Sequence, residues 1–262
     1  MDTSKNAVIV ERQAGVGIVR LNQPQTMNAL SPDIKAGLET HIPALITDPA
    51  IRCLLLTGTG KAFCAGGDIR SMKGDRSAPV VRRRMHSVHD WAGGLLDCEK
   101  PLICVVNGAA VGGGLGLALL GDIIFASSDA YFMSGFSKLG AVPDVGLVMT
   151  LTRAIGSLRA NEMLLLNRKY MAEEAAQIGL ANRCFSPETL MAEATAAARA
   201  IADGPTTSIG LTKMLARRAH QDSVEEFLER EAFAQSVAFG SPEFAEGVDA
   251  FLGKRAPKFP RG

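Results

Sequence analysis

The amino-acid sequence predicts an α/β fold that ends in a helical region. Up to about Ser186, short apolar segments of strand length alternate with segments in which apolar residues recur at helical spacing. Two glycine-rich turns each follow one of the apolar segments, at the point where a strand would pass into a helix. Beyond Ser186 only helical patterns remain. Together these observations favour layered strands and helices over a helical bundle.

The N-terminal part begins with a predicted hairpin and a helix. Residues 8–10 and 16–21 are short apolar runs that fit two paired strands. Ser31-Pro32-Asp33 has a serine N-cap followed by proline, which is a typical helix start. The apolar positions that follow recur at helical spacing: Ile34, Leu38, Ile42 and Leu45. Pro43 should kink or end this helix, because proline lacks the N–H that the helix needs.

The middle of the chain alternates strands, turns and helices. A strand is expected from Ile51 to Thr57, before the first glycine turn. The polar, basic segment Met72–Arg84 is predicted to be a mobile loop that leads into a helix ending near Leu96. A second strand at Leu102–Val106 precedes the second turn and a short helix. Another strand follows at 122–126, which completes the alternating pattern.

The C-terminal part contains two further helix starts of the Ser-Pro type. Ser186-Pro187 opens an alanine-rich helix, and Ser241-Pro242 opens the last helix. The last helix has a narrow apolar stripe and a glycine, Gly253, where it should end. A terminal helical region of this kind either caps the core or packs on a neighbouring subunit. The second is favoured, since the α/β part already supplies a core.

Composition and charge narrow the class of protein. The chain has 262 residues, of which 47% are apolar, and a formal net charge of +1, so a nucleic-acid partner is not expected. No apolar run reaches the roughly 18 residues of a membrane span, and residues 1–6 lack the apolar stretch of a signal peptide. The five cysteines are an odd number and are predicted to be buried thiols. We therefore expect a cytoplasmic globular protein without a membrane partner.

The two glycine turns are the strongest candidates for a functional site. The first covers residues 63–69 and the second residues 107–114. Backbone N–H groups at strand-to-helix turns lack partners, and the helix N-terminus adds partial positive charge. Glycine also lets a substrate oxygen approach those N–H groups closely. If both turns converge, they form an oxyanion hole made of main chain.

Other glycine-rich motifs do not match. The dinucleotide pattern G-x-G-x-x-G fails because Leu117 stands at its last glycine. A P-loop is excluded because Leu55 stands where its first glycine belongs. The four histidines do not form a His/Cys cluster at zinc-binding spacing. We expect neither a metal nor a nicotinamide or flavin cofactor.

The chain resembles the crotonase (enoyl-CoA hydratase/isomerase) superfamily over nearly its whole length. The matching segments are residues 21–24, Asn28-Ala29-Leu30, 63–68, Asn107-Gly108 with the glycine triplet, and 247–259. The resemblance implies a crotonase-like ββα superhelix over residues 1–195 and a C-terminal helical trimerisation region over 196–262. It also implies an acyl-CoA thioester as substrate, no separate cofactor, and a homotrimer or a dimer of trimers.

The resemblance assigns roles to particular positions. It implies that the oxyanion hole is formed by the amides of Gly67 and Gly113. It further implies a set of positions that bind the substrate or its CoA part: Ala29, Ala65, Gly67, Asp68, Ile69, Gly113, Phe136 and Pro143. Phe251 and Lys254 would approach the CoA from an adjacent subunit.

Two departures from the family pattern bear on the reaction. Hydratases of this superfamily add water with two glutamates, and the corresponding positions here are Gly116 and Phe136. Neither side chain can transfer a proton. Because a positioned acid or base typically contributes about 10²–10⁴ in rate, efficient hydration of a simple enoyl-CoA is not expected.

Asp144 is the candidate catalytic residue. It matches the position at which superfamily isomerases carry an aspartate, and residues 136–140 with Pro143-Asp144 are similar to the ring-1,2-epoxyphenylacetyl-CoA isomerases of phenylacetate degradation. Δ3,Δ2-Enoyl-CoA isomerase activity also goes with this arrangement. One base suffices for an isomerase, because it removes a proton from one carbon and returns it to another. Apolar neighbours such as Phe136 and Val145 should raise the pKa of Asp144 above its usual value of roughly 3.9.

Other interpretations stay open at this stage. His89 and Asp144 match the base and the nucleophile of 4-chlorobenzoyl-CoA dehalogenases, although Val88 and Phe136 replace the tryptophans of that family. Asp144 is alternatively a turn residue after proline. The chain is alternatively a non-catalytic acyl-CoA-binding subunit, or a hydratase with a carboxylate not yet identified. The basic clusters at 82–84 and 217–218 are interpreted as solvated helix faces, with contact to CoA phosphates as the alternative.

Overall fold

The computed structural model of the chain describes residues 6–260. Its strands are β1 (Val8–Gln13), β2 (Val16–Leu21), β3 (Cys53–Gly58), β4 (Ala62–Cys64), β5 (Leu102–Val106), β6 (Ala109–Val111), β7 (Ile123–Ser127), β8 (Tyr131–Met133), β9 (Tyr170–Met171) and β10 (Arg183–Phe185). Its helices are α1 (Pro32–Thr47), α2 (Ala78–Asp97), α3 (Gly113–Ala118), α4 (Leu147–Leu166), α5 (Ala172–Gln177), α6 (Pro187–Ala202), α7 (Thr206–Arg218), α8 (Val224–Phe239) and α9 (Pro242–Leu252).

The larger sheet has six strands in the order β1-β2-β3-β5-β7-β10. The hairpin pair β1 and β2 is antiparallel, and the remaining neighbours are parallel. In register, Leu55 of β3 lies between Ile18 of β2 and Ile103 of β5. Every residue of β3 and β5 is buried, as expected for parallel strands that are covered on both faces.

Two layers of helices cover this sheet. On one face, α1, α2 and the segments around α3 and α4 contribute to the main apolar core, which includes Leu38, Trp91 and Leu115. On the other face, α6 supplies a row of small and apolar residues that packs against β2, β3 and β5. The core therefore lies on both sides of the sheet, which agrees with the predicted α/β class.

The smaller sheet explains how the chain spirals. Its strands are in the order β4-β6-β8-β9, and β4, β6 and β8 are parallel. Each of these three follows directly after a strand of the larger sheet and leads towards a helix, which gives the units β3-β4-α2, β5-β6-α3 and β7-β8-α4. This is the predicted ββα superhelix. Because β4 pairs with β6, the turns that follow these two strands lie side by side.

Most predicted elements are confirmed, with differences at their ends. The hairpin forms, and Ser31 caps α1 by accepting a hydrogen bond from the amide of Ile34 at 3.2 Å. Pro43 does not end α1, which continues to Thr47. The prediction that residues 72–84 form a loop is wrong in its last part, because α2 begins at Ala78 and residues 82–84 are helical. The proline at position 79 lies in the first turn of α2, where it costs no hydrogen bond.

The C-terminal helices are joined to the core by a buried carboxylate. Glu243 of α9 is 7% exposed and accepts hydrogen bonds from the amides of Thr206 (3.0 Å) and Thr207 (2.9 Å) at the start of α7. Its Oε1 also lies 3.7 Å from Nη2 of Arg52, which precedes β3. The division predicted after residue 195 stays a prediction, and α6 runs across it while packing on the sheet.

A second polar contact joins α7 to the start of β5. The ammonium of Lys213 contacts Asp122 Oδ2 at 2.9 Å and donates to the carbonyls of Lys100 (2.8 Å) and Leu95 (3.1 Å). Asp122 Oδ2 also accepts a hydrogen bond from the amide of Leu102 at 2.7 Å. The Lys213 side chain is 7% exposed and that of Asp122 is 32% exposed, so the lysine end of this ion pair is largely removed from water.

The cysteines behave as predicted. All five are free thiols; four are buried and Cys184 is half-buried. Burial raises the pKa of the Cys53 and Cys64 thiols to about 12, so neither is a thiolate at neutral pH. Within residues 6–260, no helix combines the length and the hydropathy required to cross a membrane.

Candidate active site

The first glycine turn follows β4 and is held against the segment before α1. The amide of Ala65 donates to the carbonyl of Met27 at 3.0 Å, and the amide of Leu30 donates to the carbonyl of Gly66 at 2.7 Å. Gly66 has a φ of +95°, which a side chain would disfavour. The Leu30 bridge uses the carbonyl of Gly66 and leaves the amide of Gly67 outside it. The turn is therefore fixed in position while one of its amides stays available.

Two asparagines, one buried and one half-buried, hold the backbone next to this turn with side-chain hydrogen bonds. Asn28 is fully buried; its Nδ2 donates to the carbonyls of Thr59 (2.9 Å) and Ala62 (2.8 Å). Asn107 accepts from the amide of Gly58 at 3.1 Å and donates to the Ala62 carbonyl at 3.2 Å. These bonds connect the segment before α1, the end of β3 and the end of β5. They explain why asparagine occurs in two of the motifs that the sequence singles out.

The second glycine turn lies between β6 and α3. Gly112 has a φ of +58° and its amide donates to the carbonyl of Met133 at 3.0 Å. Gly113 is the first residue of α3, so its amide has no intrahelical acceptor. All six residues of α3 are buried. The N-terminus of α3 therefore presents amide donors that are shielded from solvent.

The two turns converge, as the sequence predicts. A β carbon built on Gly66 would lie 2.7 Å from the Val111 carbonyl oxygen and 3.4 Å from the amide nitrogen of Gly113. A β carbon on Gly112 would lie 3.7 Å from the α carbon of Gly66. The turns are thus in contact through their main chains, with no side chain between them. Gly67 and Gly113 are brought to one region in this way.

Asp144 lies next to the second turn. Its Oδ1 is 3.3 Å from the position of a β carbon on Gly113. That oxygen is buried and has no hydrogen-bond partner among the described residues. Burial raises the pKa of Asp144, and the nearby positive charges of Lys35 and His89 oppose that shift. A partly desolvated carboxylate with one unpaired oxygen beside an amide cluster is suited to act as a base.

The turn that carries Asp144 has an unusual backbone. Val145 has a φ of +52° and Gly146 a φ of +70°, and the amide of Leu147 donates to the Asp144 carbonyl at 3.0 Å. Positive φ at both central residues is typical of a type I′ turn. For a β-branched residue such as valine this conformation is strained, by about 1–3 kcal/mol. Strain of this kind tends to occur at functional sites.

The positions of the hydratase glutamates contain no acid. A β carbon on Gly116 would lie 2.9 Å from the Val145 β carbon and 3.1 Å from the Asp144 carbonyl oxygen. The turn at 144–145 therefore fills the space that a larger side chain at position 116 would need. Phe136 is half-buried, and its ring lies 3.8 Å from the position of a β carbon on Gly112. The ring therefore borders the second turn.

The other predicted binding residues fall into two groups. Ala29, Ala65 and Asp68 are half-buried around the first turn, and Ile69 beside them is 55% exposed. Pro143 is half-buried and precedes Asp144. By contrast, Phe251 is 83% exposed at the end of α9, and Lys254 is exposed just after it. The structure gathers the first group at the converging turns, while the second lies on a helix that packs on α8.

Two residues near this site, Lys35 and Met72, escape sequence reasoning, and a third, Val145, is expected only as an apolar neighbour of Asp144. Lys35 is half-buried one turn into α1, and its charge interacts with Asp144, Arg84 and Asp68. The Met72 methyl group lies over Gly67, where a β carbon would collide with it. Val145 fills the space beside Gly113 and Gly116. The helix start at Ser31 is a partial signal for Lys35, because residues 27–30, just before that helix, form hydrogen bonds with the first turn.

His89 is exposed on α2. Its ring centroid lies 6.2 Å from that of His86, one helical turn earlier. Its only link to the site among the described residues is the electrostatic effect on Asp144. The structure therefore gives His89 a position near the site without a contact to its base.

Comparison with known proteins places the chain among enzymes of one family. The family model described as enoyl-CoA hydratase/isomerase matches residues 11–261. A 1,2-epoxyphenylacetyl-CoA isomerase of Escherichia coli K12 is 38% identical over 251 residues, covering 94% of this chain and 95% of that protein. A crotonyl-CoA hydratase of Syntrophomonas wolfei is 32% identical, covering 96% of this chain and 97% of that protein.

Solved structures show the same fold. An enoyl-CoA hydratase from Polaromonas sp. JS666 superimposes with a TM-score of 0.91 at 30% identity, covering 97% of this chain and 99% of that one. An enoyl-CoA hydratase from Bacillus anthracis gives a TM-score of 0.92 at 27% identity, covering 98% and 100%. The relatives carry both isomerase and hydratase names, so the reaction has to be argued from the site.

Proposed function

Because the chain belongs to the enoyl-CoA hydratase/isomerase family, whose enzymes act on CoA thioesters, we propose that it is an acyl-CoA isomerase. In this proposal Asp144 moves a proton between two carbons of the acyl group, and the amides of Gly67 and Gly113 hold the thioester oxygen. The observation that carries the proposal is the Asp144 carboxylate, whose Oδ1 has no hydrogen-bond partner among the described residues and lies 3.3 Å from the β-carbon position of Gly113.

The proposed reaction has two steps that share one base. The Asp144 carboxylate removes a proton from the carbon next to the thioester carbonyl, and the electron pair moves onto the carbonyl oxygen as an enolate. The carboxylic acid then returns its proton to a carbon further along the chain, and the double bond becomes conjugated with the thioester. Two fixed amide donors stabilise the enolate, each by on the order of 10²–10³ in rate.

The surroundings of Asp144 support its role as base. Burial raises its pKa, which strengthens the carboxylate as a proton acceptor. The positive charge of Lys35 acts in the opposite direction and favours the ionised form that the first step requires. The two effects together suit a group that must both accept and return a proton.

The lack of space at position 116 argues against a hydratase. Hydration would need a carboxylate at that position or at 136 to activate water, and a side chain on Gly116 would meet the backbone of Asp144 and Val145. Asp144 supplies a single carboxylate beside this position, and one carboxylate suffices to move a proton from one carbon to another.

The acyl group is proposed from the similarity to one relative. The Escherichia coli relative is named for 1,2-epoxyphenylacetyl-CoA, and this chain aligns with it over 94% of its length. We therefore propose two substrate classes for the same site: unsaturated aliphatic acyl-CoA and ring-epoxide arylacetyl-CoA. The exposed position of His89 gives no support to the alternative of a dehalogenase.

We also propose that the chain forms a homotrimer or a dimer of trimers. Large apolar side chains are exposed on α8 and α9 in the single chain, among them Phe233 (69%), Phe251 (83%) and Leu252 (74%). Apolar surface of this extent on neighbouring helices is typical of a protein interface. Phe251 and Lys254 would then reach the CoA of a neighbouring subunit, and the substrate would need no additional cofactor.

The decisive experiment compares the wild type with Asp144→Asn. Conversion of 3-hexenoyl-CoA to the conjugated 2-enoyl product is measured, with hydration of crotonyl-CoA alongside. We expect isomerisation to fall by about 10²–10⁴ in the variant, while affinity for a saturated acyl-CoA is retained because both amides remain. Hydration should be negligible in both proteins.

Other outcomes identify the alternatives. Rapid hydration of crotonyl-CoA by the wild type would overturn the isomerase assignment. Isomerisation that survives in Asp144→Asn would mean that a different group is the base. If neither aliphatic substrate reacts, turnover of 1,2-epoxyphenylacetyl-CoA distinguishes a ring isomerase from a non-catalytic binding subunit.

A further inference from the structure

We infer that Val145 is a positioning residue, whose buried side chain holds the Asp144 carboxylate beside Gly113. The inference rests on the proposed function, in which Asp144 is the base. It concerns a residue whose side chain has no acid–base chemistry of its own.

The backbone of Val145 shows that its side chain matters. With a φ of +52° and Gly146 following at +70°, the turn would accept glycine or asparagine more readily than a β-branched residue. If the turn required only this backbone shape, a second glycine, at position 145, would supply it without strain. The valine side chain must therefore contribute something that outweighs the strain.

That contribution is packing against α3. Val145 is 3% exposed. Its β carbon lies 2.9 Å from the β-carbon position of Gly116, and its Cγ2 lies 3.7 Å from that of Gly113. The absence of side chains at these two glycines makes room for the valine. The contact fixes the distance between the turn that carries Asp144 and the N-terminus of α3.

Asp144 depends on this contact because nothing else binds its inner oxygen. Oδ1 has no hydrogen-bond partner among the described residues, and the hydrogen bond that the carboxylate does accept comes from Asp144's own amide, so no other residue directs it. Its direction follows from the backbone at 144–145, and that backbone is held by the Val145 packing and by the 3.0 Å bond from the Leu147 amide. Loss of the valine side chain would leave the base present but free to turn away.

The test replaces Val145 with glycine, which relieves the strain and removes the contact. We expect kcat for 3-hexenoyl-CoA to fall by on the order of 10²-fold, the cost of a displacement of about 1 Å at a reacting group, with KM nearly unchanged. Val145→Ala keeps the β carbon, so its kcat should lie between those of the wild type and Val145→Gly. Val142→Gly is the matched control, because Val142 is in the same loop but is 83% exposed, and its kcat should match the wild type.

A double variant separates positioning from a general structural effect. If Val145 acts through Asp144, Val145→Gly adds no further loss to Asp144→Asn, whereas independent effects would multiply. A wild-type kcat in Val145→Gly, an effect on KM alone, or multiplied losses in the double variant would overturn the inference. Full activity of Asp144→Asn would instead overturn the proposed function, and the two failures are therefore distinguishable. If Val145→Gly does not fold, the same comparisons are made with Val145→Ala.

Discussion

The protonation of Asp144 is set by opposing influences from different parts of the chain. Burial raises its pKa, while the charges of Lys35 on α1 and His89 on α2 lower it. Lys35 itself faces Asp144, Asp68 and Arg84, and burial lowers the pKa of its ammonium. Among the charges that oppose the effect of burial on Asp144, that of Lys35 has the largest effect.

We expect Lys35→Met to shift the acidic limb of the kcat/KM profile to higher pH. Loss of a positive charge disfavours the carboxylate, so the pKa of Asp144 rises further and a smaller fraction is ionised at any mildly acidic pH. The measurement is the pH dependence of 3-hexenoyl-CoA isomerisation. Activity well above that limb should change little.

Lys35→Arg is the matched variant, since it keeps the positive charge and should leave the limb in place. An equal loss at all pH values in Lys35→Met, without a shift, would contradict the electrostatic role. A shift to lower pH would mean that the net effect of Lys35 on the base has the opposite sign.

The contact between Lys213 and Asp122 connects two elements that the sequence places about 90 residues apart. The Lys213 side chain is buried on α7, and its three oxygen partners come from the end of α2, from the second residue before β5 and from the residue before β7. Removal of one partner from such a pair leaves the other charge and two carbonyls unsatisfied. This contact therefore joins α7 to the sheet.

Lys213→Met should lower the free energy of unfolding by about 3 kcal/mol, the lower end of the range for broken buried pairs, because Asp122 keeps some solvent contact. Urea unfolding followed by circular dichroism measures the change. Lys61→Met is the control, because Lys61 is exposed and forms no ion pair among the described residues. Equal midpoints for the two variants would show that the buried contact contributes nothing.

Across the whole molecule, Glu243 connects the last helix to the rest. Its carboxylate binds the first amides of α7 and faces Arg52, the residue before β3. A carboxylate at a helix N-terminus also interacts favourably with the helix dipole. This buried group therefore helps to hold α9, which carries part of the apolar surface proposed to form the trimer.

Glu243→Gln should destabilise the fold by about 2 kcal/mol, the value of hydrogen bonds to a charged group. It should also weaken assembly, because α9 is no longer held against α7. Sedimentation velocity is expected to give a wild-type mass of about three or six times 27.7 kDa, and a smaller mass for the variant at low concentration. Glu231→Gln, at an exposed position of α8, should do neither. A variant that assembles and unfolds like the wild type would contradict this role.

Local patterns in the sequence account for a large part of this architecture. The fully apolar runs become β3 and β5, and the serine-proline pairs at 31, 186 and 241 all begin helices. The strands of the smaller sheet escape prediction because two or three residues are too few to show a period. Helix α4 contains Gly156 at a φ of +76°, which interrupts its pattern.

The candidate site likewise has a part that local sequence patterns predict and a part that they do not. The convergence of the glycine turns follows from two similar strand-turn-helix units in one chain, and Asp144 follows from a motif. Lys35 and Val145 have no local signature, because their importance comes from neighbours more than 30 residues distant along the chain, such as Asp144 for Lys35 and Gly113 for Val145. Contacts of this kind are fixed by tertiary packing alone.

The donors of the candidate site are main-chain amides, and this has a practical consequence. Replacement of Asp144 by asparagine removes the proposed base and leaves every atom of the two glycine turns in place. Such a variant should still bind the acyl-CoA that it no longer converts. Incubated with a mixture of cellular acyl-CoA thioesters and then analysed by mass spectrometry, it would serve as an affinity reagent that reports the natural acyl group.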